Sequence, residues 1–146
     1  MFETIKYYQG LRRLQKERRV TSTFYDEKYR ELVKPSREEM DSLLSEQRDA
    51  VGLIDEQISF LLSQHLIQKA QVYHLSIPEF DENGLTWVEP RYTLKWHLRK
   101  DAIADLRTAI RKEQKEKSEI LRTWLTVVLS IIGAVTGIAA LLLSRH

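Results

Sequence analysis

The chain has 146 residues, a formal net charge of +2 and a charged fraction of 30%. That near-neutral balance excludes a global polyelectrolyte of the kind that binds nucleic acid by charge alone. There is no cysteine, which excludes disulfides, thiolate metal sites and cysteine nucleophiles.

Residues 1–34 read as a basic N-terminal helical segment. They lack the apolar core of a signal peptide. On a helical wheel Tyr7, Leu11 and Leu14 share one side, and Arg12, Arg13, Lys16 and Arg19 share roughly the opposite side. Such a helix either meets an anionic membrane surface or nucleic acid, or docks by its apolar side with its charges solvated. Phe24, Tyr25 and Tyr29 follow on a second short helical stretch and read as core or interface contacts.

Residues 35–112 read as an α+β cytoplasmic domain. Pro35 breaks the first helix, and Ser36-Arg37-Glu38-Glu39 is a capping box that starts the next. That helix is expected to run to about His65. Met40, Leu43, Leu44, Val51, Ile54, Ile58, Leu61 and Leu62 give it an apolar side, and Gly52 suggests a kink or a junction. A β-hairpin with a long loop is expected near 70–98. Tyr73, Leu75 and Ile77 alternate with polar residues. After the turn-rich 78–84, Tyr92, Leu94, Trp96 and Leu98 alternate again through Arg99. The helix before the hairpin is the expected cover for its apolar side.

From Lys100 the periodicity returns to helix, through Ile103, Leu106 and Ile110. Residues 113–122 form a polar juxtamembrane stalk, and residues 123–144 read as a transmembrane helix. No charge lies between Arg122 and Arg145. Trp124 is the expected interface anchor. Arg111, Lys112, Lys115, Lys117 and Arg122, like the basic side of the first helix, are expected to meet anionic lipid or another anionic partner. Their excess on the N-terminal side implies an inner-membrane protein with its N-terminal domain in the cytoplasm and its C-terminus outside. Within the apolar run, Thr126, Ser130, Gly133, Gly137, Ala140 and Ser144 make a stripe of small residues at alternating spacings of 4 and 3. That period suits a helix pair or bundle of identical chains, with a pore wall as the alternative.

The order of a helix, a hairpin with a loop, and Tyr92-x-Leu94 leading into a helix with Ala102-Ile103 and Leu106 resembles a small winged-helix domain over residues 40 to 112. It departs from that pattern at Lys95-Trp96-His97, where such domains often carry a glycine. In DNA-binding members the recognition helix is basic, but Asp55–His65 has two acids and no Lys or Arg. The resemblance therefore implies protein contacts. The plan of a small cytoplasmic domain, a basic rod and one terminal span is also similar to membrane-acting effectors of prokaryotic phage-defence systems.

There is no phosphate-binding glycine loop, no dinucleotide fingerprint and no H-E-x-x-H. None of His65, His74, His97 and His146 is spaced from another for a metal. His65 reads as a helix-end dipole partner. His74 and His97 fall on separate expected strands with a shared solvent side. Asp81-Glu82-Asn83-Gly84 reads as a turn rather than a calcium loop. The expectation is a non-enzyme without cofactor: a tail-anchored effector or scaffold that self-assembles through its span, able to permeabilise the membrane. Its expected partners are membrane lipid, a second copy, and a cytoplasmic protein or small ligand. The alternatives are a membrane-tethered nucleic-acid-binding regulator and a passive tether.

Overall fold

The computed structural model of the chain describes the backbone of residues 2–32 and 34–143, and the side-chain surroundings of residues 4–32, 34–134 and 136. The elements run α1 (Phe2–Glu31), α2 (Arg37–Val72), β1 (Trp87–Val88), β2 (His97–Leu98) and α3 (Lys100–Leu143). The expected mostly helical α+β character is present. The chain divides into two compact units, Met1–Arg107 and Thr108–His146.

The first unit is built on α1 packed against α2. Helix α1 is one element rather than two, because residues 11–31 hold no glycine or proline to break it. The connection turns at Lys34, whose φ is 55°. Helix α2 starts on the expected capping box: the Ser36 hydroxyl accepts from the Glu39 amide at 3.2 Å, and the Ser36 amide donates to Glu39 Oε2 at 2.9 Å. It continues past His65 to Val72. Gly52 does not kink it. The residue is small because the Tyr92 ring lies against the helix there, and a Cβ would stand 2.5 Å from Tyr92 Cε2.

The core follows the expected apolar sides. Tyr7 and Leu14 from α1 are buried, as are Ile54, Leu66 and Ala70 from α2, and Leu98, Ala102, Ile103 and Leu106 from the second half of the unit. His65 is not a helix-end residue. It sits inside α2 and stacks on Tyr7, with ring centroids 3.7 Å apart and planes 3° from parallel. Burial, with Lys69 adding to it, holds the His65 imidazole below the usual histidine pKa.

The hairpin is shorter than the alternation predicts. Its strands have two residues each, paired antiparallel as Trp87 with Leu98 and Val88 with His97. Residues 75–77 form no strand. The period of two from Arg91 to Arg99 becomes strand only at His97–Leu98, and Leu94 is fully exposed. The cause is Glu56. It accepts the amides of residues 91–93 that a strand would have given to a neighbour. His74 and His97 do not share a solvent side either. His74 is exposed with φ 56°, whereas His97 is buried with its Nδ1 unpartnered.

The second unit consists of α3 from Thr108 onward. Its polar stretch is laced by the i,i+4 ion pairs Lys112–Glu116, Lys115–Glu119 and Lys117–Glu113. Among the described residues no helix is long and apolar enough to cross a membrane. This corrects the transmembrane helix expected at 123–144. It corrects with it the tail-anchored membrane effector, the permeabilising role that needs the span, and the inner-membrane localisation with the C-terminus outside. The apolar run with described side chains, residues 123–134, covers about 18 Å of helix against the roughly 30 Å of a hydrocarbon core. Extending it upstream brings in Arg122, Glu119 and Lys117. Gly137, Ala140 and Ser144 of the small-residue stripe lie outside the described side chains.

Candidate interaction surfaces

Two surfaces stand out, one in each unit. The first is the loop that α2 holds in place. Glu56 and Asp49 share a helical face of α2, seven residues apart. Glu56 Oε1 accepts from the Arg91 amide at 2.7 Å, and Oε2 accepts from the Tyr92 amide at 3.0 Å, the Thr93 amide at 2.8 Å and the Thr93 hydroxyl at 3.1 Å. Its partial burial pushes the carboxyl pKa up. The hydrogen bonds outweigh that and hold it below the usual carboxylate range. The Tyr92 hydroxyl donates to Asp49 Oδ1 at 2.8 Å, and the Lys95 ammonium lies 4.9 Å from the Phe60 ring centre. Arg91, Tyr92, Thr93 and Lys95 of the loop are thus pinned to one helix.

Deeper in the unit, Ser63 ties β2 to α2. Its hydroxyl donates to the Ser59 carbonyl at 2.7 Å and accepts from the Leu98 amide at 2.9 Å. The rest of the loop closes on itself. Asp81 accepts from the amides of Asn83 and Leu85, Gly84 takes φ 74°, and the Trp87 indole donates to the Glu79 carbonyl at 2.9 Å. Phe80 packs against Trp87 and Trp96, with ring centres 5.7 and 5.1 Å away. This scaffolding leaves Phe80, Leu85 and Leu94 exposed.

The basic side of α1 stands as expected. Arg12, Arg13, Lys16 and Arg19 are all exposed while Tyr7 and Leu14 are buried. Arg18, not singled out by the wheel, reaches α2 and pairs with Asp55 at 2.6 Å.

The second surface is on α3. Ile120, Leu121, Trp124, Leu125, Val127, Val128, Leu129, Ile131 and Ile132 are each 45–66% exposed. The described hydroxyls of the small-residue stripe, those of Thr126 and Ser130, are already spent within the helix. Thr126 donates to the Arg122 carbonyl and Ser130 to the Thr126 carbonyl. A Cβ at Gly133 would meet nothing within 4 Å. Of the residues expected to meet anionic lipid or another anionic partner, Lys112, Lys115 and Lys117 pair with glutamates along the helix, and Arg111 and Arg122 are exposed.

Sequence reasoning missed Glu56, Asp49 and Ser63 as organising residues. Each reads locally as one more polar residue on an amphipathic helix. Their partners lie 35 to 43 residues away, and no local spacing reports that. Among the described residues no group of His, Cys, Asp and Glu could hold a metal ion. Compared with protein-family models, curated proteins and solved structures, the chain finds no match.

Proposed function

We propose that the chain is a non-enzymatic assembly protein that pairs with further copies of itself through α3 and presents the clamped loop of its first unit to a protein partner. One observation carries this reading: the run of exposed apolar side chains from Ile120 to Ile132. A contiguous apolar surface of that extent is characteristic of an interaction site.

A second copy is the occupant favoured by charge. The flanking stretch carries Lys112, Lys115 and Lys117 beside Glu113, Glu116 and Glu119. That composition is its own complement, as the flanks of paired helices require. The hydroxyls of Thr126 and Ser130 are satisfied internally, so the small-residue side offers close backbone approach rather than a polar lining. The winged-helix-like plan of residues 40–112 belongs to the same reading, as a scaffold for protein contact. The acidic clamp of Asp49 and Glu56 on α2, with no Lys or Arg between Asp55 and His65, does not suit the phosphate backbone of a nucleic acid.

The test is the molar mass of the full chain by light scattering over a hundredfold range of concentration. Oligomers in aqueous buffer are expected. Gly133→Ile is the decisive variant, because a Cβ there meets nothing within 4 Å and the larger side chain removes the small side of the seam. It is expected to weaken association at least tenfold. A single chain at every concentration, recovery only in detergent as single copies, or oligomers indifferent to Gly133→Ile would each overturn the reading.

A further inference from the structure

Between α1 and α2 lies an open cleft of about 840 Å³, lined by Arg18, Arg19, Ser22, Asp55, Ser59 and Lys100 among others. Its size is that of a small-molecule site. Its charge is one-sided: three cations face one carboxylate. That carboxylate is already committed, because Asp55 Oδ1 accepts from Arg18 Nε at 2.6 Å and Oδ2 from Arg18 Nη2 at 3.3 Å. The fork does two things. It neutralises the only acid in the cleft, and it holds the guanidinium of Arg18 in one orientation with its Nη1 donors unused. Arg19 and Lys100 make no ion pair among the described residues.

The rest of the lining is hydroxyl and amide, from Gln15, Ser22, Thr23 and Ser59, with Ile58 as the one large apolar side chain. There is no aromatic ring on which a base could stack. A held arginine with two uncommitted cations suits a compact polyanion, since charge-assisted hydrogen bonds to phosphate oxygens are the strong ones.

We propose that this cleft binds a small phosphate ester, with Arg18, Arg19 and Lys100 on the phosphate oxygens and the serine and glutamine side chains on a polar body. The assignment does not depend on assembly through α3. It also differs from the outward basic side of α1, where Arg12, Arg13 and Lys16 line no part of the cleft.

Inorganic pyrophosphate is the probe. Titration calorimetry on the full chain is expected to show one saturable site, and the ligand to raise the melting temperature. The double variant Arg19→Gln/Lys100→Gln removes two exposed cations without touching the core, so its helix content and melting temperature without ligand are expected to match the parent. Its affinity for pyrophosphate is expected to fall at least tenfold. Arg12→Gln/Arg13→Gln is expected to leave the affinity unchanged. Absence of saturable binding at millimolar pyrophosphate would overturn the proposal. So would an undiminished affinity in the first double variant, or an equal loss in the second, which would mark a diffuse attraction to the whole basic helix.

Discussion

The two units use the same polar side chains in opposite ways. In the first unit, the carboxylates of Glu56 and Asp49 bind segments 35 to 43 residues away, and the hydroxyl of Ser63, while donating to the Ser59 carbonyl of its own helix, also accepts from the Leu98 amide 35 residues on. In the second, Thr123, Thr126 and Ser130 return their hydroxyls to carbonyls four residues back, and the lysines and glutamates pair within the helix. The consequence is energetic. Polar groups of the first unit hold tertiary structure together. Among the described residues of the second, most polar groups are satisfied within the helix, and its apolar side chains are left exposed. That contrast is the reason the proposed assembly surface falls on α3.

The comparison is sharpest at Glu56. Replacing it with alanine removes the common acceptor of three amides and a hydroxyl. The expected loss is about 3 kcal/mol, since hydrogen bonds to charged groups contribute roughly 1.5–3 each and part of the clamp is open to water. Chemical denaturation should report that loss, and amide exchange should show residues 91–93 losing protection while α3 beyond Thr108 is unaffected. Ser63→Ala follows, at about 1–2 kcal/mol, because it strands the buried Leu98 amide. Equal exchange at Leu98 in parent and variant would show that the hydroxyl is dispensable.

Acid probes the same unit by another route. His65 and Glu56 both have pKa values lowered by the fold. For a lowered pKa the contribution to stability is present above the unfolded value and is lost as pH falls through the folded one. The His65 contribution should therefore be intact at neutral pH and disappear below about 6.5, and that of Glu56 should disappear below about 4.3. Melting curves at pH 7.5, 5.5 and 3.5 should show two downward steps in the first unit. His65→Phe, which keeps a ring against Tyr7, should abolish the first step.

The smallest effect belongs to the second unit. Exchanging Lys115 and Glu119 reverses an exposed pair and should change stability by less than about 0.5 kcal/mol. A larger change would mean that these side chains bear on something other than their own helix.

Much of the local structure was legible before any coordinates. The S-x-x-E box announced the start of α2, and the wheel of α1 separated Tyr7 and Leu14 from its arginines correctly. Spacing failed at the hairpin. The alternation from Arg91 to Arg99 is real, yet a carboxylate from α2 took the amides that would have formed the ladder. It failed again at Gly52, where the absence of a side chain serves the Tyr92 ring rather than a kink. It also placed His65 at a helix end when its partner is Tyr7. The transmembrane reading rested on uninterrupted apolarity from Thr123 to Ser144, whereas among the described residues no helix is long and apolar enough to cross a membrane.

Sequence alone therefore determined the helices and their buried sides, because capping and a 3.6-residue period act within one or two turns. Tertiary structure alone decided the loop clamp, the Tyr7–His65 stack and the Arg18–Asp55 fork. Each joins groups whose separation along the chain bears no relation to any local period, so only the packing of α1 on α2, and of the loop on α2, could bring them together.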